Sequence, residues 1–251
     1  MRKNIFGILI FLLVLTPLNF VQAESVASQV AGRILLQVDS EGEGWYVNPE
    51  DQKRYYLGRP ADAFNIMRKL GHGISDRDLK RIPVSVSGVS GEDSDDDGLP
   101  NFLEEAVGTN ATKKDTDGDG FNDKQELQNN YNPQKEGVKF PIDKEFTESN
   151  KGRILLQVES HGEAWYINPE NGERYFLGKP RDAFNIMRTL GLGVKSEDLE
   201  KIPQASLEEQ EEPTQDKDPE SVATPTSSPY DLAALETALH ESVNEKRKEH
   251  D

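Results

Sequence analysis

Apolar positions along the chain change their period several times, and each change predicts an element. Arg2 and Lys3 precede an apolar run from Ile5 to Leu15 that closes at Val21-Gln22-Ala23, a small-x-small cleavage site. This pattern predicts a signal peptide over residues 1–23. The strictly apolar stretch is about 11 residues long, short of the roughly 20 that span a bilayer, and nothing downstream is apolar enough to span. The mature chain is therefore expected to be exported, secreted or at the cell surface, without a membrane span. Further on, Ile34 to Val38 is a short β-prone run. Trp45-Tyr46-Val47 and Arg54-Tyr55-Tyr56-Leu57 flank the turn residues Asn48-Pro49-Glu50-Asp51, which predicts a hairpin. Pro60 suits the first turn of a helix. Phe64, Ile66, Met67 and Leu70 follow at helical spacing, and Gly71 is placed to stop it. A second, short helix is expected to begin near Ser75.

The same succession returns 120 residues later. Residues 32–83 recur without a gap as 152–203, with 34 of 52 positions identical. Two copies so far apart are too few for a stacked solenoid, so two separate small domains are expected. The fold class is α+β: two hairpin-plus-helix modules at residues 32–83 and 152–203, flanking an acidic segment at 91–133. At about 50 residues each, such modules have marginal cores. Alternation along the hairpin sends neighbouring aromatics to opposite faces. Trp45, Tyr46, Tyr55 and Tyr56, and their counterparts Trp165, Tyr166, Tyr175 and Phe176, therefore divide between a packed core and a second face. That second face either packs as well or stacks on sugar rings of a glycan, with Trp45, Tyr46, Tyr55, Trp165, Tyr166 and Tyr175 as the candidate ligand-binding set.

Charge sharpens this picture. The chain of 251 residues carries 29 Lys and Arg against 46 Asp and Glu, a formal net charge of −17, which repels nucleic acid and favours cations. It has no cysteine, which excludes disulfide frameworks, cysteine zinc sites and cysteine nucleophiles. The acids concentrate in two loops, Asp93 to Glu104 and Asp115 to Glu126, and each fits D-x-D-x-D-G-x5-E. Carboxylates at positions 1, 3 and 5 converge when the chain wraps tightly, glycine at position 6 permits the turn, position 7 offers a carbonyl, and a glutamate at position 12 closes the site. Hard, oxygen-only sites of this kind select Ca2+. No helix of ordinary length precedes either loop, so a paired EF-hand is not expected. Position 9 is Asp123 in the second loop and Asn101 in the first, which predicts tighter binding in the second.

The stretch from Asp93 to Pro133, with its D-x-D-G-D-G pattern, following acidic helix and G-T-N linker, resembles the bacterial form of thrombospondin type 3 repeats. That resemblance implies a calcium-dependent extracellular spacer. It assigns Asp93, Asp95, Asp97, Asn101 and Glu104 as side-chain ligands of one site, with the Leu99 carbonyl. Asp115, Asp117, Asp119, Asp123 and Glu126 form the other, with the Phe121 carbonyl. Asp96 departs from the pattern, standing where the family has glycine. The two 52-residue copies resemble W-Y-x-N-P…R-Y-x-L-G repeats of exported bacterial proteins, which are themselves similar to aromatic-rich cell-wall-binding repeats.

Residues 204–230 are rich in Glu, Gln, Pro, Ser and Thr and read as a disordered linker. Residues 231–251 read as an amphipathic helix with Leu232, Leu235, Leu239 and Val243 on one stripe. Asn244, Arg247 and His250 give it a resemblance to the opening helix of CAP (SCP-like) domains, which implies the start of a truncated domain. The four histidines occupy no metal-ligand spacing, and no nucleophile elbow, phosphate loop or dinucleotide fingerprint occurs, so an enzyme is not expected. Two readings remain: a calcium-binding structural spacer, or a glycan or cell-wall binding module in which calcium is only structural. Beyond calcium ions, the expected partners are cell-wall polysaccharide or another surface protein.

Overall fold

The computed structural model describes residues 25–58, 60–159, 163–178 and 180–205. The signal segment at 1–23, the linker beyond Ala205 and the terminal helix at 231–251 lie outside the described residues. The first copy forms α1 (Val26–Gln29) just ahead of it, then β1 (Ile34–Gln37), β2 (Gly44–Val47), β3 (Arg54–Tyr56), α2 (Pro60–Leu70), β4 (His72–Ile74) and α3 (Asp76–Leu79). The acidic segment adds α4 (Asn101–Val107), α5 (Asp123–Gln128) and α6 (Lys144–Asn150). The second copy repeats the first as β5 (Ile154–Gln157), β6 (Ala164–Ile167), β7 (Arg174–Phe176), α7 (Pro180–Leu190), β8 (Leu192–Val194) and α8 (Ser196–Leu199). The class is α+β, and the hairpins, long helices and short second helices stand where the hydrophobic pattern puts them. Ser75 caps α3 by accepting from the Asp78 amide at 3.1 Å.

The copies are not separate. The two sheets run β3-β2-β1-β8 and β4-β5-β6-β7, so each three-stranded meander takes its fourth strand from the other copy. β8 pairs parallel to β1 (Leu35 opposite Leu192), and β4 pairs parallel to β5 (His72 opposite Leu155). Only Gly71 stands between α2 and β4, so the strand continues onto the neighbouring sheet instead of folding back on its own. Both copies contribute to one central core: Ile34, Tyr46, Tyr55, Leu57, Ile66 and Met67 pack with Ile154, Tyr166, Tyr175, Leu177 and Ile186.

Contacts across this exchange come in reciprocal pairs. Tyr46 donates its hydroxyl to the Gly152 carbonyl at 2.7 Å, and Tyr166 donates to the Gly32 carbonyl at 2.7 Å. The two glycines sit at φ +77° and +76° and approach so closely that a Cβ on either would lie 2.4 Å from the other's Cα. Arg33 meets Glu170 and Arg153 meets Glu50. Asp39 accepts from the Ser196 amide at the start of α8, and Glu159 accepts from the Asp76 amide at the start of α3. Those hydrogen bonds from Ser196 hold the Asp39 carboxyl below its ordinary range.

Each hairpin also grips the helix that arrives from the other copy. Arg174 on β7 donates to the carbonyls of Leu79 and Ile82, at the end of α3, and Arg54 on β3 donates to Leu199 at the end of α8. The Arg174 guanidinium is buried, stands 5.2 Å from the Trp165 ring centroid, and is pushed down to about 9 by burial. Arg54 stands 4.8 Å from Trp45 but remains partly exposed.

Two outcomes test this arrangement. Arg174→Ala takes the guanidinium from the Ile82 carbonyl and from the Leu79 carbonyl, which keeps the Ile82 amide, and is expected to lower stability by about 2–3 kcal/mol in urea unfolding, more than Arg54→Ala does. A protease site placed at the exposed turn of residues 135–137 and cut there is expected to leave the halves bound together on size exclusion, because the exchanged strands hold them. Separation of the halves under native conditions would contradict the exchange.

Candidate metal centre

The two acidic loops adopt the same backbone scaffold. In the first, Asp93 Oδ2 accepts from the Gly98 amide at 2.9 Å, Asp95 Oδ1 from Asp97 at 3.1 Å, and Asp97 Oδ1 from Leu99 at 2.6 Å. In the second, Asp115 Oδ2 accepts from Gly120 at 2.8 Å, Asp117 Oδ1 from Asp119 at 3.1 Å, and Asp119 Oδ1 from Phe121 at 2.9 Å. Each aspartate thus fixes the turn through at least one oxygen; Asp115 Oδ1 also accepts from the Gly118 amide at 2.6 Å, and Asp97 Oδ2 from the Lys124 amide at 3.3 Å. The carboxylates then converge: one oxygen each from Asp93, Asp95 and Asp97 lies within 4.8 Å of the others, and so do those from Asp115, Asp117 and Asp119. Gly98 and Gly120 adopt φ +93° and +99° at position 6. At position 4 the second loop has Gly118 at φ +86°, and the first holds Asp96 in the same left-handed region at +58°. The departure at Asp96 is therefore accommodated without changing the course of the loop.

The position-12 glutamates close each loop from a helix. Glu104 on α4 and Glu126 on α5 are buried. Burial first, then the neighbouring aspartates, pushes both carboxyls up to about 7, with Asp95 and Asp97 acting on Glu104 and Asp117 and Asp119 on Glu126. Buried oxygens without a hydrogen-bond partner gather here: Asp93 Oδ1, Asp95 Oδ2 and Glu104 Oε2 in one loop, and Asp117 Oδ2 and both Glu126 oxygens in the other. Unpaired buried carboxylate oxygens are costly, and a hard divalent cation satisfies them. The residues therefore fit Ca2+, with the Leu99 and Phe121 carbonyls at position 7 as the remaining candidate donors.

Position 9 differs from the sequence expectation. Asp123 turns both oxygens to Thr116, accepting from its amide at 2.8 Å and its hydroxyl at 2.6 Å. Asn101 likewise accepts from the Ser94 amide at 2.9 Å and donates to the Ser94 hydroxyl at 2.8 Å. Both side chains brace position 2 of their own loop. The hydroxyl residue at position 2 of each loop was the signal for this. Lysines were also missed: Lys114 donates to the Asp96 carbonyl at 2.8 Å and Lys124 to the Gly98 carbonyl at 2.8 Å, tying the second loop to the first.

This second loop decides the comparison. Residues 115–135 match the family model of the Bacterial TSP3 repeat. No curated protein and no solved structure matches the chain. The TSP3 match covers the second loop, α5 and the turn after it; the first loop, with Asp96 at position 4, lies outside the matched residues. TSP3 repeats are extracellular-type, calcium-binding structural repeats, which accords with the paired aspartate clusters here. Among the described residues no helix is long and apolar enough to cross a membrane.

Of the two environments expected for the hairpin aromatics, the structure shows the packed one for the candidate ligand set. Trp45, Tyr46, Tyr55, Trp165, Tyr166 and Tyr175 are all buried, so none offers a ring face to a glycan. Tyr46 and Tyr166 serve the exchange contact between the copies, and Trp45 and Trp165 lie beneath Tyr56 and Phe176 at 5.0 Å between centroids. Alternation does send neighbours to opposite faces, and of the eight hairpin aromatics only Tyr56 is exposed.

The shifted glutamates set a pH dependence with a definite sign. A carboxyl raised from 4.5 to about 7 in the folded state contributes stability below about 4.5 that is lost as pH rises through 7. Calcium-free protein is therefore expected to melt at progressively lower temperature from about pH 5 to about pH 8, and calcium is expected to remove that decline. Calorimetric scans with chelator and with calcium check this; a calcium-free melting temperature that rises across the window would contradict it.

Proposed function

We propose that the protein is an exported calcium-binding structural protein whose acidic loops bind Ca2+ and rigidify the connection between two repeated modules. The observation that carries this reading is the set of buried, unpartnered carboxylate oxygens in two loops of one scaffold, one of which matches a TSP3 repeat. Three aspartates and a glutamate in each loop repel one another without metal and hold a cation together when it arrives. Because Glu104 follows Leu103 and Glu126 precedes Leu127, a cation drawn to those carboxylates also fixes α4 and α5 against the core. Extracellular loops of this type bind calcium with dissociation constants of roughly 0.1 to 1 mM, suited to an exported chain.

Calcium titration after chelation, followed by calorimetry and small-angle scattering, tests the proposal. The expected result is two sites in the parent chain, one site each in Asp95→Ala and Asp117→Ala, and a more compact, stiffer acidic segment with metal. Absence of heat and of any change in size at about 5 mM calcium, several times the usual extracellular range, would refute it.

A further inference from the structure

The acidic segment does more than connect the copies. Its buried side chains Leu99, Leu103 and Leu127 lie in one apolar cluster with Trp165, Leu155 and Ile167 of the second copy's sheet, and Phe102 stacks on Phe176 at 6.2 Å. The segment is pinned at both ends. Val84 bridges to Arg174 and the Ser85 amide donates to its carbonyl at 2.9 Å. At the far end Asp143 pairs with Arg81 at 2.6 Å, and the Arg81 guanidinium lies 3.9 Å over Phe146. Residues 87–142 thus form a strap laid over one sheet.

The other sheet is an internal comparison. It has the same tryptophan beneath the same ring position, 5.0 Å apart in both sheets, but among the described residues no strap covers it, and Tyr56 is 45% exposed where Phe176 is only partly so. The covered ring is phenylalanine and the exposed one is tyrosine, which keeps a hydroxyl out of the buried stack. Among the described residues the Trp45 face packs against α1 and α8 alone, with no contribution from a strap. Strap docking is a separable event, and the groups that oppose it are the carboxylates that sit beside its apolar contacts: Glu104 next to Leu103, Glu126 next to Leu127, Asp97 two residues before Leu99.

We infer that calcium fastens this strap: with the loops loaded, α4 and α5 seat Leu99, Phe102, Leu103 and Leu127 over the Trp165–Phe176 face, and calcium loss releases the strap while the exchanged copies stay folded. This rests on the calcium reading above. The outcome is a calcium-controlled aromatic surface on one sheet of the pair. The chain has two tryptophans, one per sheet, and each reports its own face.

The test uses the full mature chain as Trp45→Phe, leaving Trp165, and as Trp165→Phe, leaving Trp45. Calorimetry with calcium alone is run on both, with acrylamide quenching and far-ultraviolet circular dichroism in chelator and at about 5 mM calcium. The expected result is calcium binding, a severalfold rise in Trp165 quenching with a red shift on chelation, unchanged Trp45 quenching, and conserved secondary structure. Phe102→Ser, combined with Trp45→Phe, is expected to raise Trp165 quenching even with calcium present. Binding heat with unchanged Trp165 quenching would overturn the strap and leave the calcium reading intact. Exposure of both tryptophans on chelation would overturn it too, since calcium would then hold the whole fold. No binding heat would remove the calcium reading and the strap together.

Discussion

A meander of β1, β2 and β3 has one edge of β1 without a partner, and that edge is filled by β8 from the other copy, as β5 is by β4. Unpaired strand edges and a core of about 50 residues are each a liability for a small module. Exchange removes both together. Each sheet reaches four strands, and the inner faces of the two copies merge into a single core around Tyr46 and Tyr166. The close approach of Gly32 and Gly152, the reciprocal tyrosine hydrogen bonds and the two arginine grips on incoming helices follow from that topology. No disulfide is available to join the copies, and none is needed to hold them.

That topology changes what the acidic segment can be. If the copies were separate, the segment would set the distance between them. With the copies already intertwined, their separation is fixed by shared strands, and the segment is free to act on a surface. Its apolar side chains face the second sheet while its carboxylates gather in two loops, and both features share the same short helices. Leu103 and Glu104 are consecutive on α4, as Glu126 and Leu127 are on α5. Packing of one and charge of the other are thereby coupled: burying the leucine carries the glutamate into a low-dielectric position, where only a proton or a cation stabilises it.

Much of this was legible from residues in order. Turn chemistry at Asn48 to Asp51, the helix from Pro60 stopped at Gly71, the short helix near Ser75 and the D-x-D-x-D-G spacing are all local signals, and local signals survive in the structure. The exchange was not legible. β4 is His72-Gly73-Ile74, three residues with a central glycine, and nothing local distinguishes pairing within a copy from pairing with the other. The hairpin aromatics were left open between packing and a ligand face, and the structure packs them, because what covers them includes the other copy's helices and the strap. At position 9 the structure adds a bracing role on a finer scale. Asn101 and Asp123 have ligand chemistry, but Ser94 and Thr116 stand close enough to claim those side chains for the loop itself.

The two copies share 34 of 52 residues yet meet different surroundings, which makes their differences informative. Tyr56 and Phe176 occupy the same place above a tryptophan, and the only atom separating them is the hydroxyl oxygen. On the open sheet that oxygen stands on a ring that reaches solvent. Under the strap, Phe176 stacks on Phe102, and a hydroxyl there would have to find a partner among apolar side chains. Burying it unpaired would cost about 1–3 kcal/mol, comparable to the packing that one ring gains. The residue at this position therefore matches whether its sheet is covered. The sequence of the second hairpin is fitted to a docked strap, and that of the first to a ring that is exposed among the described residues.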